Sequence, residues 1–133
     1  MLHARSFSVS MRKDWQALYE QIWQPDFFPK WAAGLSESDL RADGDHWLAD
    51  GPDGPIRIRF TPHNAYGVMD HFVDVGDGVP EVHVPLRVVQ NGEGAEVILT
   101  LYRQPGMDDE RVAGDIKLIN RDLKLLKALV EQG

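Results

Sequence analysis

The sequence predicts an α+β domain. It is read as a curved antiparallel sheet of seven strands, with two short helices after the first strand and one long C-terminal helix, about 108–131, over the concave face. Three observations carry this. Apolar and polar residues alternate in short runs over much of the chain, as half-buried strands require. Turn-forming stretches separate those runs at regular spacing. The final run then changes to helical periodicity.

At 133 residues the chain is one domain, 1–133, with room for a core, and 43% hydrophobic residues exclude a disordered segment. A net charge of −7 argues against nucleic-acid binding, which needs a basic footprint. The absence of Cys removes disulfides, thiolate metal sites and Cys nucleophiles. No basic-then-apolar leader opens the sequence, and no apolar run approaches a membrane span. Membrane insertion is therefore not expected, and a cytoplasmic location is.

In chain order, "RSFSVSM" puts Phe7, Val9 and Met11 on one side of a strand and three Ser on the other. "KDWQALYEQIW" shifts period, so that Trp15, Leu18, Tyr19 and Ile22 share a helical face. Pro25 opens a second short helix, "PDFFPKWA", which Pro29 bends or ends. From residue 38 to 104 the turns "DGPDGP", "PHNAYG", "GDGVP" and "NGEG" punctuate an antiparallel meander.

Centring those turns gives a register. Trp47 falls opposite Ile58, Ile58 opposite His71, His71 opposite Val84, and Val84 opposite Leu101. Phe60, Met69, Leu86 and Leu99 flank that row on one side, and Ile56, Val73 and Val82 on the other. Four independent turns thus agree on one apolar face, which a one-residue slip would break. On the opposite face Arg59 falls opposite Asp70, Arg57 opposite Phe72, Phe72 opposite His83, and His83 opposite Tyr102, a set suited to cross-strand ion pairs and cation–π contacts.

The closing helix begins after "LYRQPGMDDE". Asp108 is its expected N-cap, Met107 and Val112 its hydrophobic staple, and Asp109 and Glu110 suit its positive end. Val112, Ile116, Ile119, Leu123, Leu126 and Val130 form a stripe widened by Leu118, Leu125 and Leu129. Only the apolar side of the sheet is broad enough to cover it.

The order of strand, helix pair ending in "FFPKW", meander with "NGEG" followed by "AEVILTLYRQPGMDDE", and final run "DIKLINRDLKLLKAL" resembles the START-like, helix-grip (SRPBCC) superfamily over the whole chain. That superfamily includes the plant pollen-allergen fold and the polyketide cyclase/dehydrase and lipid-transport family. The resemblance implies binding or transfer of an apolar small molecule of lipid, polyketide or aromatic type, or cyclisation, dehydration or hydrolysis inside a cavity. Fold does not choose among these.

The expected cavity lies between the sheet and the C-terminal helix, bordered by Trp31, Trp47, Phe60, Met69 and His71. Phe28, Ile58, Val84, Leu86, Leu99, Ile116 and Ile119 complete the candidate ligand-binding residues. His71 is the one ionisable side chain in the central inward rows. It is either a polar handle for ligand or proton, or a core histidine satisfied by backbone or water. Trp31 and Trp47 line a pocket or simply pack. Phe27 and Phe28 flank an entrance to the cavity, or one of them is exposed. Arg103 meets a ligand anion, a helix-terminal carboxylate or solvent, and Asn64 and Tyr66 rim the cavity or only form a turn. Gly114 leaves room in the helix for a ligand or close packing, or marks a weak first turn. His63, His71 and His83 do not converge as metal ligands must, so neither metal nor cofactor is expected.

Three functions are carried forward. The first is a carrier or sensor of an apolar small molecule. The second is a cyclase or dehydratase using His71 as acid or base. The third is a protein-interaction module of the chaperone-cofactor kind. The apolar outer residues Val68, Phe72, Ile98 and Tyr102 would serve that module or a homodimer.

Overall fold

The computed structural model describes residues 1–32, 38–51, 53–76 and 78–131. The strands are β1 (Ala4–Met11), β2 (Arg41–Asp43), β3 (His46–Gly51), β4 (Gly54–Phe60), β5 (His71–Asp74), β6 (Val82–Val84), β7 (Leu86–Asn91) and β8 (Gly94–Tyr102). Helix α1 (Trp15–Ile22) and a 3₁₀ helix (Pro25–Lys30) follow β1, and α2 (Asp109–Glu131) follows β8.

In place of the expected single sheet of seven strands, the described residues form eight strands in two antiparallel sheets, β1-β8-β7 and β2-β3-β4-β5-β6. Pro85 makes the difference. It has no N–H to give a ladder, so the run expected as one strand divides into β6 and β7 around it. The two sheets stay joined along that break. The Met69 amide donates to the Leu86 carbonyl, the Val88 amide to the Gly67 carbonyl, and the Thr100 amide to the Pro85 carbonyl.

Most of the expected register holds. Trp47 pairs with Ile58, His71 with Val84, and Leu86 with Leu99. The β4–β5 register is corrected by two residues: Ile58 pairs with Val73, and Phe60 with His71. A shift of two leaves parity intact, so the same side chains still face inward. The cause is the loop between these strands, which winds around Asn64. Its Oδ1 accepts from the Tyr66 and Val68 amides, and its Nδ2 donates to the Pro62 and Val68 carbonyls. The Asn64 amide in turn donates to the Tyr19 hydroxyl. A simple turn would use fewer residues. Gly67 closes the loop at φ +70°, where a Cβ would stand 2.2 Å from the Val88 carbonyl oxygen.

Helix α2 starts as expected: Asp108 Oδ1 accepts from the Arg111 amide at 2.8 Å. Its C-terminal half docks tightly, with Leu123, Leu126 and Val130 all buried. There Lys127 Nζ donates to the Ser10 carbonyl, and Glu131 accepts from the Arg12 amide. At the other end Arg111 pairs with Asp53 in the β3–β4 turn. The helix therefore crosses the inner face from the β3–β4 turn to the end of β1.

Candidate functional site

The inner face is closed at one end and incompletely covered at the other. Ile58, Leu86, Val88, Val97, Leu99 and Leu126 are buried. Phe60, Val82, Val84, Leu101, Ile116 and Ile119 border that core but stay half-buried, and Trp47, opposite Ile58, is half-buried too. On α2 the partly covered stripe residues Ile116 and Ile119 lie toward the N-terminal half. Thus helix and sheet pack well where α2 meets β1 and leave apolar side chains partly uncovered toward the start of the helix.

His71 stands on the inner face at 2% exposure. Burial pushes its pKa down to about 4, against the opposing pull of the Met69 backbone and the Asp70 charge. It is therefore neutral at pH 7; the Met69 backbone is its one polar contact, and its Nδ1 makes no hydrogen bond of good geometry. Trp31 is buried as well, and its Nε1 also lacks a partner. Phe28 ties the group together. Its ring is edge-on to Trp31 at 5.6 Å, to Phe60 at 5.3 Å and to His71 at 5.1 Å.

That ring also corrects the expected ligand-sized enclosed cavity. Phe28 occupies the space between the residues that were to border it. Among the described residues, the enclosed space near the expected site is about 10 Å³, room for roughly one water. It lies beside Tyr19, Ile22, Trp23, Phe28, Phe60 and Met69, so Trp47 and His71 do not line it.

No protein-family model and no curated relative matches the sequence. Solved structures do match in shape. A START superfamily protein from Mycobacterium smegmatis is 14% identical, with 98% of each chain covered and a TM-score of 0.68. Ara h 8.0201 is 11% identical, with both chains fully covered and a TM-score of 0.68. The Aha1 dimer from Colwellia psychrerythraea is 12% identical, with 96% of each chain covered and a TM-score of 0.69. The fold is the START-like helix grip.

Within the helix grip, the other side chains singled out in the sequence fall into structural roles. Arg103 donates to the Met107 carbonyl and pairs with Asp109 at 2.9 Å, which ties β8 to the start of α2. Tyr66 is exposed, and Asn64 organises its loop. Gly114 is exposed, and a Cβ there would touch nothing within 4 Å, so close packing does not require a glycine. His63 is outside the grip, paired with Glu20 at 2.7 Å, stacked on Tyr19 and tilted against Trp23. Among the described residues no group of His, Asp and Glu is placed to hold a metal, and no helix is long and apolar enough to cross a membrane.

A polar cluster that sequence reasoning missed lies on the outer face of the sheet. Asp70 is expected opposite Arg59, but the two-residue shift puts Phe72 there. The Arg59 guanidinium lies 4.1 Å over the Phe72 ring, which stacks on His83 at 4.6 Å. Asp70 is instead bonded by Arg87, His83 and the Leu86 amide. Burial alone would raise its pKa. The hydrogen bonds from Arg87, His83 and Leu86, with the Arg87 charge, hold it well below the usual carboxylate range. The signal that could have found this cluster is Pro85, whose break leaves the next amide in need of an acceptor.

Proposed function

We propose that this domain binds an apolar small molecule between the sheet and the N-terminal half of α2. The supporting observation is the set of inward apolar side chains left half-covered, among them Phe60, Val84, Ile116 and Ile119, with Trp47 half-buried opposite Ile58. Binding sites of this class are lined by aliphatic and aromatic groups with a few polar ones, which matches this lining with His71 and Trp31 beside it. The helix-grip neighbours add an argument by fold analogy. Aromatic, polyketide or lipid-type molecules suit such a lining.

The binding reading is preferred to a cyclase or dehydratase. That chemistry needs an acid or base and a second polar group at a reacting atom. Of Trp31 Nε1 and His71 Nδ1, only the imidazole nitrogen can take up or give a proton, since an indole N–H only donates a hydrogen bond, and burial moves that titration down to about 4.

Native mass spectrometry of the purified protein, followed by solvent extraction, tests the reading together with titration by the neutral fluorescent probe N-phenyl-1-naphthylamine. Saturable binding at one probe per chain, competed by Ile119→Trp filling the gap, is expected. A protein that carries no adduct and does not bind the probe overturns it.

A further inference from the structure

Among the described residues, β1 and β2 are the open edges of the two sheets, while β6 and β7 stay joined across the Pro85 break. An open edge is a row of unpaired amides and carbonyls. Folded proteins normally blunt it with short length, charge, proline or a bulge. β2 is blunted, with three residues of which Arg41 and Asp43 are charged and exposed. β1 is not. It runs eight residues without proline or lysine, its pairing with β8 has no bulge, and Arg5 is its only charge.

The direction of each β1 backbone group follows from its ladder. The Arg103 amide donates to the His3 carbonyl, so the odd residues of β1 bond to β8 and the even ones point away. Lys127 Nζ, which reaches the Ser10 carbonyl from α2, agrees with this. Among the described residues the outward amides and carbonyls of Ala4, Ser6 and Ser8 have no partner, and all three residues are exposed.

We propose that β1 pairs antiparallel with β1 of a second copy of this chain, about a two-fold axis at Ser6. Outward groups must meet outward groups, which leaves few registers. Centring on Arg5 sets two like charges directly opposite, which is destabilising. Centring on Phe7 or Ser8 needs the Ser10 carbonyl, which Lys127 already holds. Centring on Ser6 sets Ala4 against Ser8 of the second copy and Ser6 against its own equivalent, so every free group is used. It also sets Arg5 opposite Phe7 of the second copy, and the Arg5 guanidinium already lies 5.1 Å over the Phe7 ring of its own chain. The edge is thus complementary to itself, which is what singles out a second copy over an unrelated strand. Two three-stranded sheets become one of six.

Sedimentation equilibrium of the full chain, from low to high micromolar concentration, tests this. Wild type shows a monomer–dimer equilibrium. Ser6→Pro removes an N–H that β8 does not use, so it keeps the fold and raises the dimer dissociation constant by about tenfold or more. The chain has no cysteine, so a single one reports register. Mild oxidation cross-links Ser6→Cys to its own copy. It does not cross-link Ser10→Cys, whose two sites lie about 26 Å apart in this pairing. If Ser6→Pro does not fold, amide exchange of wild type replaces it: the Ser6 and Ser8 amides slow as concentration rises. A wild type that stays monomeric overturns the proposal, even if the edge takes up an unrelated strand-forming peptide. So does a dimer that Ser6→Pro leaves unchanged, or cross-linking at Ser10→Cys as ready as at Ser6→Cys.

Discussion

Arg87 holds Asp70 with two hydrogen bonds, Nε to Oδ1 at 2.8 Å and Nη2 to Oδ2 at 2.9 Å, across the break that Pro85 makes in the sheet. Asp70 also accepts from the Leu86 amide at 3.0 Å, so one carboxylate bridges the loop before β5 to the start of β7. Asp70→Ala is expected to lower stability by about 2–3 kcal/mol, because a buried amide and a charged partner lose their acceptor. Arg87→Ala should cost less, since Arg87 is exposed and Asp70 keeps two other donors. Urea unfolding measures both, and equal losses would show that the ion pair alone is the staple.

The same carboxylate sets an acid limit. Its folded pKa lies below its unfolded value, so its contribution is complete above about pH 4 and drains away as pH falls further. Asp70→Asn should remove that part of the acid dependence.

His71 acts at higher pH. Its folded pKa of about 4 lies below the ordinary histidine value, so between the two the unfolded chain binds the extra proton. Stability from keeping it neutral is full above about pH 6.5 and is lost as pH falls toward 4. His71→Gln should flatten unfolding free energy against pH over that window, relative to wild type. Parallel curves for the two proteins would contradict the burial.

Helix α2 should respond unevenly to truncation. Leu126→Ala removes a fully buried side chain and is expected to cost about 2–5 kcal/mol. Ile119→Ala, at a half-covered position, should cost clearly less while changing probe affinity more. Ile119→Asp, which the sequence predicts to bury an unpaired charge, should for the same reason be milder than Leu126→Asp. Thermal melts and probe titrations separate the two halves of the helix.

Two glycines should behave in opposite ways. Gly114→Ala fills open space on an exposed helix face and should stabilise by up to about 1 kcal/mol. Gly67→Ala forces a Cβ onto the Val88 carbonyl at positive φ and should destabilise by several-fold more than that gain. Melting temperatures of the two variants decide it.

The inward face was legible because alternation fixes parity: Trp47 with Ile58, His71 with Val84 and Leu86 with Leu99 follow from short turns of definite length. The two-residue slip at Ile58 was not, because Asn64 shapes its loop by side-chain hydrogen bonds that a turn count does not see. The Asp70 cluster depended on that slip and on Pro85 together. The burial of Trp31 and the filling of the interior by Phe28 depend on how the 3₁₀ helix sits over the sheet, a tertiary matter beyond any local pattern. Arg103 has a ligand, a helix-terminal carboxylate and solvent as sequence-level options, and it pairs with Asp109 at the helix start.

The pairing of β1 with β8, from Ala4 with Tyr102 to Met11 with Ala95, has a consequence for synthesis. A ribosome makes the first strand long before its ladder partner exists, and α2, which anchors on Ser10 and Arg12, emerges later still. Until then Phe7 and Met11 have neither neighbouring strand nor covering helix, and the inward residues of β3 to β7 lack their lid. Closure of so distant a pair is slow in any chain. The nascent domain therefore presents its apolar interior to the cell until β8 and α2 have been made, and α2 is the element that ends that exposure.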